Sequence, residues 1–153
     1  MYWKLTIALV LLFVLSLGVT KAQDTWVARD GAVKSTDLRD AIFNKDALYI
    51  ATKSVLYRAK DLKENWEPVF SLPSSGNNEI TCVAGRLKNM FIGTRRGLFR
   101  SDDYGATWKN VFRTILPDKN NITYIELSRH SRSTVVIATG KGVFISDDLW
   151  ASW

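Results

Sequence analysis

The octapeptide SDDYGATW, from Ser101 to Trp108, gathers acidic, hydroxyl and aromatic side chains that could act on one ligand. Paired carboxylates serve glycosidases as acid and base, and oxygen-rich loops bind calcium. Adjacent carboxylates of an extended segment point to opposite sides, however, whereas glycosidase carboxylates face one sugar from about 5 to 10 Å apart. A calcium loop also ends on a glutamate that is missing here. These residues therefore favour a structural turn.

Two other side chains could be a nucleophile, a base or a metal ligand: Cys82, the only cysteine, and His130, the only histidine. Cys82 stands in EITCVAG, within a predicted strand, where a thiol is usually a small buried apolar group. His130 stands in the polar stretch SRHSRS, which predicts a solvated loop. We therefore predict no catalytic residue, no metal site and no cofactor.

The strongest pattern is a repeat that positions this turn. The segments IATKSVLYRAKDLKENW (Ile50–Trp66), IGTRRGLFRSDDYGATW (Ile92–Trp108) and IATGKGVFISDDLWASW (Ile137–Trp153) each have threonine third and tryptophan seventeenth. Their tryptophans lie 42 and 45 residues apart. Thr25-Trp26 is a possible fourth copy, 40 residues before Trp66. Periods of this size are typical of β-propeller blades, which have four strands each.

Each copy also has the strand pattern of such a blade. The stretches ALYIAT, NMFIGT and TVVIAT are rich in residues that suit a pleated, half-buried surface. Tight turns are expected at Lys53-Ser54, Arg95–Gly97 and Gly140–Gly142, and WEPVF and WKNVF are expected fourth strands. We predict an all-β chain with about three blades of four antiparallel strands, over residues 38–70, 79–113 and 122–153.

The N-terminus has the pattern of a secretory signal peptide over residues 1–22. Lys4 precedes an apolar core, and Thr20-Lys21-Ala22 offers a cleavage site before Gln23. An uncleaved membrane anchor is the alternative, although the apolar run is short for a span of about 20 residues. We predict a secreted or periplasmic product, residues 23–153, with no membrane attachment after cleavage.

The net charge of +6 becomes +4 when cleavage removes Lys4 and Lys21, because 19 basic and 15 acidic residues remain. These charges are scattered, and no basic run with interleaved aromatic residues occurs, so nucleic-acid binding is not predicted. Arg95, Arg96, Arg100 and Lys88 are close enough in sequence to form a local basic patch.

The octapeptide resembles the Asp-box, or bacterial neuraminidase repeat, with the pattern S-x-D-x-G-x-T-W. Its positions are filled by Ser101, Asp103, Gly105, Thr107 and Trp108. In such a turn the aspartate can accept backbone N–H bonds, glycine tolerates a positive φ, and tryptophan is expected to close the hairpin by packing between strands.

The other two copies depart from the pattern. The third keeps Ser146, Asp148, Ser152 and Trp153, and the first keeps Asp61 and Trp66. Trp150 occupies the glycine position of the third copy. A tryptophan at positive φ would be strained, so this turn is expected to differ or to be loose.

The resemblance implies a β-propeller fold but does not indicate a particular enzymatic activity. Asp-boxes occur in sialidases and other secreted glycosidases, photosystem II assembly-factor propellers and sortilin-type receptors, at the periphery of the blades. The Arg-Ile-Pro motif of sialidases is absent from this sequence. Two functions stay open. One is an exported, non-enzymatic binding or scaffold propeller with a protein or glycan ligand. The other is a sialidase-like glycoside hydrolase whose catalytic residues lie outside this segment.

About three blades are fewer than the four to eight of closed propellers. The chain is therefore expected to be the N-terminal part of a longer propeller, or to need a second copy to close the ring. Thr25 to Arg29 is predicted to be the closing strand of the final blade, which would cover an open sheet edge.

Overall fold

The computed structural model describes residues 33, 37–60, 65–73, 76–148 and 150–153. The signal peptide predicted over residues 1–22, the closing strand predicted over residues 25–29, and Asp61 lie outside these residues. Within the described ranges, no helix has the length and apolar character needed to cross a bilayer.

The described residues form eleven β-strands and one short 3-10 helix, Pro117–Asn120. The strands are β1 (Leu38–Asn44), β2 (Ala47–Thr52), β3 (Val55–Ala59), β4 (Glu67–Ser71), β5 (Ile80–Arg86), β6 (Asn89–Thr94), β7 (Gly97–Ser101), β8 (Lys109–Phe112), β9 (Ile122–Leu127), β10 (Val135–Thr139) and β11 (Gly142–Ser146).

These strands build three antiparallel sheets in which each strand pairs with its neighbours in sequence. Sheet one has the order β1-β2-β3-β4, sheet two β5-β6-β7-β8, and sheet three, among the described residues, β9-β10-β11. The prediction of an all-β chain made of propeller blades is confirmed.

Two-residue turns connect the second and third strands of each sheet, and a threonine stabilises each turn. The hydroxyls of Thr52, Thr94 and Thr139 donate to the carbonyls of Val55, Gly97 and Gly142 at 2.9 to 3.0 Å. Each hydroxyl also accepts a backbone N–H from the same turn. The threonine at the third position of every repeat therefore closes a hairpin.

The core consists of two layers, one on each side of sheet two. Met90 and Ile92 of β6 are fully buried against sheet one, and Phe91, which points the opposite way, is fully buried against sheet three. Each such side chain contributes about 1.5–3 kcal/mol when removed from water. Sheets two and three approach so closely that a Cβ on Gly93 of β6 would lie 2.8 Å from Ile122 Cγ2 of β9.

The strand directions place two kinds of connection at opposite ends of the sheets. We call the end that carries the β2–β3, β6–β7 and β10–β11 turns the hairpin end, and the end that carries the Asp-boxes the box end. The box end also carries the β1–β2 and β5–β6 turns, and the backbone N–H of Tyr104 donates to the carbonyl of Lys88 there.

Candidate functional site

The second Asp-box is a closed set of hydrogen bonds within its own loop. Ser101 Oγ donates to Asp103 Oδ1 at 2.7 Å, and Asp103 accepts the backbone N–H of Thr107 at 2.8 Å and its hydroxyl at 2.6 Å. Gly105, at φ 87°, donates its N–H to Ser101 Oγ at 2.8 Å. Both carboxylate oxygens are therefore used to hold the turn.

The bonds from Thr107, followed by the one from Ser101, lower the pKa of Asp103 to about 2. The carboxylate stays charged at neutral pH and accepts hydrogen bonds only. A general acid needs a raised pKa, so Asp103 is poorly suited to that role.

The third box has the same hydrogen bonds from its serines to its aspartate, which corrects the expectation that its turn would be loose. Asp148 accepts hydrogen bonds from Ser146 Oγ at 3.0 Å, Ser152 N at 3.0 Å and Ser152 Oγ at 2.6 Å. The bonds from Ser152 are the main cause that lowers the pKa of Asp148 to about 2.

Trp150 occupies the glycine position of this box at φ 70°, in the left-handed region. That conformation costs a non-glycine residue about 1–2 kcal/mol. The buried indole ring lies 5.2 Å from the Phe91 ring, and the Arg100 guanidinium lies 3.9 Å from the indole centroid. Packing against sheet two offsets the backbone strain, so the turn keeps its shape.

The box tryptophans join sheets in addition to closing their own loops, since Trp108 Nε1 donates to the carbonyl of Gly105 in its own box at 3.0 Å. Trp108 Nε1 donates to the carbonyl of Val69, in β4 of sheet one, at 2.9 Å. Trp153 Nε1 donates to the carbonyl of Val111, in β8 of sheet two, at 3.0 Å. Each tryptophan therefore attaches its box to the preceding sheet. Trp66 is half-buried, and its Nε1 has no partner among the described residues.

At the hairpin end, cations from several segments surround one buried carboxylate, Glu79. Its oxygens lie 3.2 Å from Arg39, 3.0 Å from Lys53 and 3.1 Å from Arg95. The hydrogen bond from Lys53 is the largest cause that lowers the pKa of Glu79, and the charges of Arg95 and Arg39 act in the same direction. Three cations against one anion leave an excess of positive charge.

Beside this cluster lies a cleft of about 660 Å³ between the β6–β7 turn and the segment that connects β8 to β9. We call it the arginine cleft. Its lining residues are Arg95, Arg96, Arg113, Thr114, Ile115, Pro117 and Asn120. None of these described lining residues is a carboxylate, and Arg96 and Arg113 have no ion-pair partner in the described part of the chain.

The floor of the arginine cleft is fixed by Asn120, which is buried. Its amide donates to the carbonyl of Thr114 at 2.9 Å and accepts the N–H of Thr114 at 2.6 Å. A second cleft of about 620 Å³ shares Arg95 and Arg96 and extends to Lys141 of the β10–β11 turn. Asp118 also lines this second cleft and lies 3.8 Å from Lys141 Nζ, so the positive charge there is partly balanced.

The local basic patch expected from sequence is only half correct. Arg95 and Arg96 lie at the hairpin end, but Lys88 lies in the β5–β6 turn at the box end. The six residues of β6 separate them by about 20 Å. Arg100 is engaged with the Trp150 ring and lies 3.5 Å from Asp102.

The sequence reasoning missed Glu79 and Arg113 as members of one site. A partial signal is present, because a cation follows the repeated threonine within two residues in every copy, at Lys53, Arg95 and Lys141. The convergence of β1, the segment before β5 and two hairpin turns on one carboxylate is a property of sheet packing, which no local pattern reveals.

Cys82 and His130 are not part of the arginine cleft. Cys82 is buried, and burial raises the pKa of its thiol to about 11, so the reactive thiolate is disfavoured. His130 is exposed in the loop between β9 and β10. In the part of the chain that the structure describes, no three acidic, histidine or cysteine side chains come together as metal ligands would.

A smaller cleft of about 300 Å³ lies at the box end, between Lys45, Arg58, Lys60 and Tyr104. Asp46 is part of its lining, and Arg58 is paired with Glu67. Its charges are thus partly neutralised within the protein, which makes it a weaker candidate than the arginine cleft.

No protein-family model and no curated protein matches this chain. Solved structures do. YCF48 bound to D1 peptide superposes with a TM-score of 0.63 at 16% identity, over 76% of this chain and 39% of that chain. An ancestral GH74 enzyme superposes with a TM-score of 0.59 at 21% identity, over 76% of this chain and 18% of that chain.

The extracellular domain of a putative hybrid two component system from B. thetaiotaomicron superposes with a TM-score of 0.59 at 16% identity, over 74% of this chain and 16% of that chain. These similarities show a β-propeller fold. The described sheets correspond to a fraction of each of these longer chains.

Proposed function

We propose that this chain is part of an exported β-propeller that binds an acidic segment of a partner protein in the arginine cleft. The observation that carries the proposal is that Arg96 and Arg113, which have no ion-pair partner among the described residues, line one cleft together with Arg95, whose partner is Glu79. Arginine binds carboxylates with two parallel hydrogen bonds, and each charge-assisted bond contributes about 1.5–3 kcal/mol.

The position of the cleft supports this function. Its walls come from a β-hairpin and an anchored connecting segment, so the cations are held by rigid strands on either side. Ile115 is 97% exposed on its rim and offers an apolar contact beside the charges. A peptide-bound relative of the same fold, YCF48 with D1 peptide, is compatible with a protein ligand. We propose residues 38–70, 79–113 and 122–153 as the blades that present this surface.

Sialidase-like or other glycoside hydrolysis, with catalytic residues outside this segment, is the second candidate. The superposition on an ancestral GH74 enzyme is the observation that supports this second candidate. Hydrolysis of fluorogenic glycosides by the full-length product, lost on substitution of residues beyond Trp153, would establish this second function.

The binding proposal is tested with a fluorescent decaglutamate peptide and a decaglutamine peptide of the same length. We expect saturable binding of the glutamate peptide that weakens as salt is raised. The double variant Arg96→Glu/Arg113→Glu should lose at least about tenfold in affinity, the equivalent of about 1.4 kcal/mol.

The matched control is Lys88→Glu/Lys109→Glu, which makes the same change in net charge at two exposed residues outside the cleft. It should leave the affinity within about twofold, because the charges are distant and screened. Equal losses in both variants, or equal binding of both peptides, would contradict the proposal.

A further inference from the structure

The arginines that line the arginine cleft differ in how their side chains are held. Arg95 alone has an ion-pair partner among the described residues, because Glu79 Oε2 lies 3.1 Å from its Nη2. Its Nη1 donates to Asn77 Oδ1 at 3.3 Å. The guanidinium of Arg113, by contrast, is exposed and has neither kind of contact in the described part of the chain. The segment that precedes β5 therefore holds both terminal nitrogens of Arg95 from one side.

Glu79 is a fixed anchor for this guanidinium. Its side chain is 10% exposed, and its oxygens lie 3.2 Å from Arg39 of β1 and 3.0 Å from Lys53 of the β2–β3 turn. Its backbone carbonyl accepts the N–H of Arg95 at 3.0 Å. Because Arg39 and Lys53 belong to sheet one, they hold the carboxylate in place even when the Arg95 side chain of sheet two turns away. The carboxylate thus sets the position of Arg95 and does not follow it.

The other side of Arg95 faces the space that we assign to the ligand. Its side chain is 44% exposed and lines both the arginine cleft and the second cleft. A free arginine side chain loses rotamer freedom when it binds a ligand, whereas a side chain that is already held loses less, a difference of about threefold to tenfold in affinity. The negative charge of Glu79, however, repels an acidic ligand. The two effects of Glu79 on affinity therefore have opposite signs.

We propose that Glu79 is a positioning residue of the arginine cleft. It holds the Arg95 guanidinium in place for a carboxylate ligand, and it raises the affinity for that ligand although both are anions. The placement of Arg95 is a property of the free protein, whereas the gain in affinity rests on the proposed function. The two parts are therefore measured separately.

The first test uses the free protein. Rotation about the Nε–Cζ bond of each arginine is measured by side-chain ¹⁵N NMR of the whole chain, with Arg113 as the internal reference. We expect Arg95 to rotate at least about tenfold more slowly than Arg113, because the charge-assisted contact with Glu79 must break first. In Glu79→Gln, which keeps the size of the side chain and removes its charge, this difference should shrink to about twofold.

The second test measures affinity for the fluorescent decaglutamate peptide. Glu79→Gln should lower the affinity about threefold to tenfold, although it removes a negative charge that opposes the peptide. In an Arg95→Gln background the same change should not lower the affinity, because Glu79 acts through Arg95. The matched control is Glu67→Gln, which neutralises a carboxylate paired with Arg58 outside the arginine cleft and should leave the affinity within about twofold.

A second variant, Asn77→Ala, tests the placement of Arg95 and leaves the Glu79 ion cluster intact. Asn77 is exposed, so the fold should be retained. The change removes the other contact of Arg95 and should make its rotation about two to three times faster. This measurement decides the question if Glu79→Gln fails to fold.

The proposal is overturned if Arg95 rotates as fast as Arg113 in the parent protein, or if Glu79→Gln raises the affinity for decaglutamate. A parent protein that does not bind decaglutamate would refute the proposed ligand. The rotation of Arg95 would then still show whether Glu79 positions it, so failure of the proposed function and failure of this inference are distinguishable.

Discussion

At the scale of single residues, the carboxylates of the Asp-boxes act on their own loops. Asp103 and Asp148 receive hydrogen bonds on both oxygens from residues no more than four positions away. This local character is the reason the box could be read from sequence as a structural turn. The left-handed conformation of Trp150 could not be predicted from sequence, because it depends on packing against the ring of Phe91 in another sheet.

The first prediction concerns the charge of Asp103. Its pKa, about 2 in the folded protein, lies below the ordinary value of 3.8, so its contribution to stability is complete above about pH 4 and is lost as the pH falls towards 2. We expect Asp103→Asn to lower the melting temperature at pH 7. The difference from the parent should shrink as the pH falls from 4 to 2, because the parent carboxyl becomes protonated.

The control for this prediction is Asp102→Asn, which changes the neighbouring exposed carboxylate and leaves the turn intact. It should shift the melting temperature little at any pH. A difference between the parent and Asp103→Asn that stays constant from pH 7 to pH 2 would show that the carboxylate charge does not stabilise the box.

At the scale of elements, the strands were predictable and their joints were not. Alternating β-branched and aromatic residues around NMFIGT predict a strand, and β6 occupies those residues. The bond from Trp108 to Val69 spans 39 residues, and the Glu79 cluster draws on four separate segments. Such contacts follow from how sheets stack, which a repeat period does not specify.

The second prediction concerns the joint between sheets one and two. Trp108 packs edge to face on Phe70 and donates to the carbonyl of Val69, so Trp108→Ala should lower the free energy of unfolding by about 3–5 kcal/mol. Any binding per folded molecule should be unchanged, because Trp108 does not line the arginine cleft. Chemical denaturation and peptide titration measure the two quantities.

Tyr124→Ala provides the comparison, since Tyr124 is 59% exposed and should cost far less stability. If Trp108→Ala and Tyr124→Ala destabilised the protein equally, the tryptophan would not be a joint between sheets.

At the scale of the whole molecule, the two ends of the stacked sheets have different tasks. The box end is held by closed hydrogen-bond networks around Asp103 and Asp148, whereas the hairpin end presents cations that exceed their anionic partners. The surface that we propose for ligand binding therefore lies at the end that was recognised least well from sequence. The propeller similarity extends over a fraction of longer chains, and further blades or a second copy that close a ring stay a prediction.

The third prediction concerns processing. Lys4, the apolar core and Thr20-Lys21-Ala22 form a signal peptide pattern, so intact-mass spectrometry of the exported protein should find an N-terminus at or near Gln23. A product that retains Met1 and fractionates with the membrane would contradict the prediction and support the anchor. A Lys21-Ala22 variant with bulky residues should slow cleavage, whereas substitutions at Gln23 should not.

Sheets two and three each carry a tryptophan that donates to the sheet before them, and sheets one and two carry the accepting carbonyl, in β4 and β8. A gene segment that encodes a sheet like sheet two therefore encodes both a tryptophan donor and a backbone carbonyl acceptor. Duplication of about 42 codons would lengthen the array without requiring a new interface to evolve. The turns at the hairpin end can then diverge in sequence. They already differ, as Lys53-Ser54, Arg95-Arg96 and Gly140-Lys141, whereas the threonine that precedes and closes each turn is repeated.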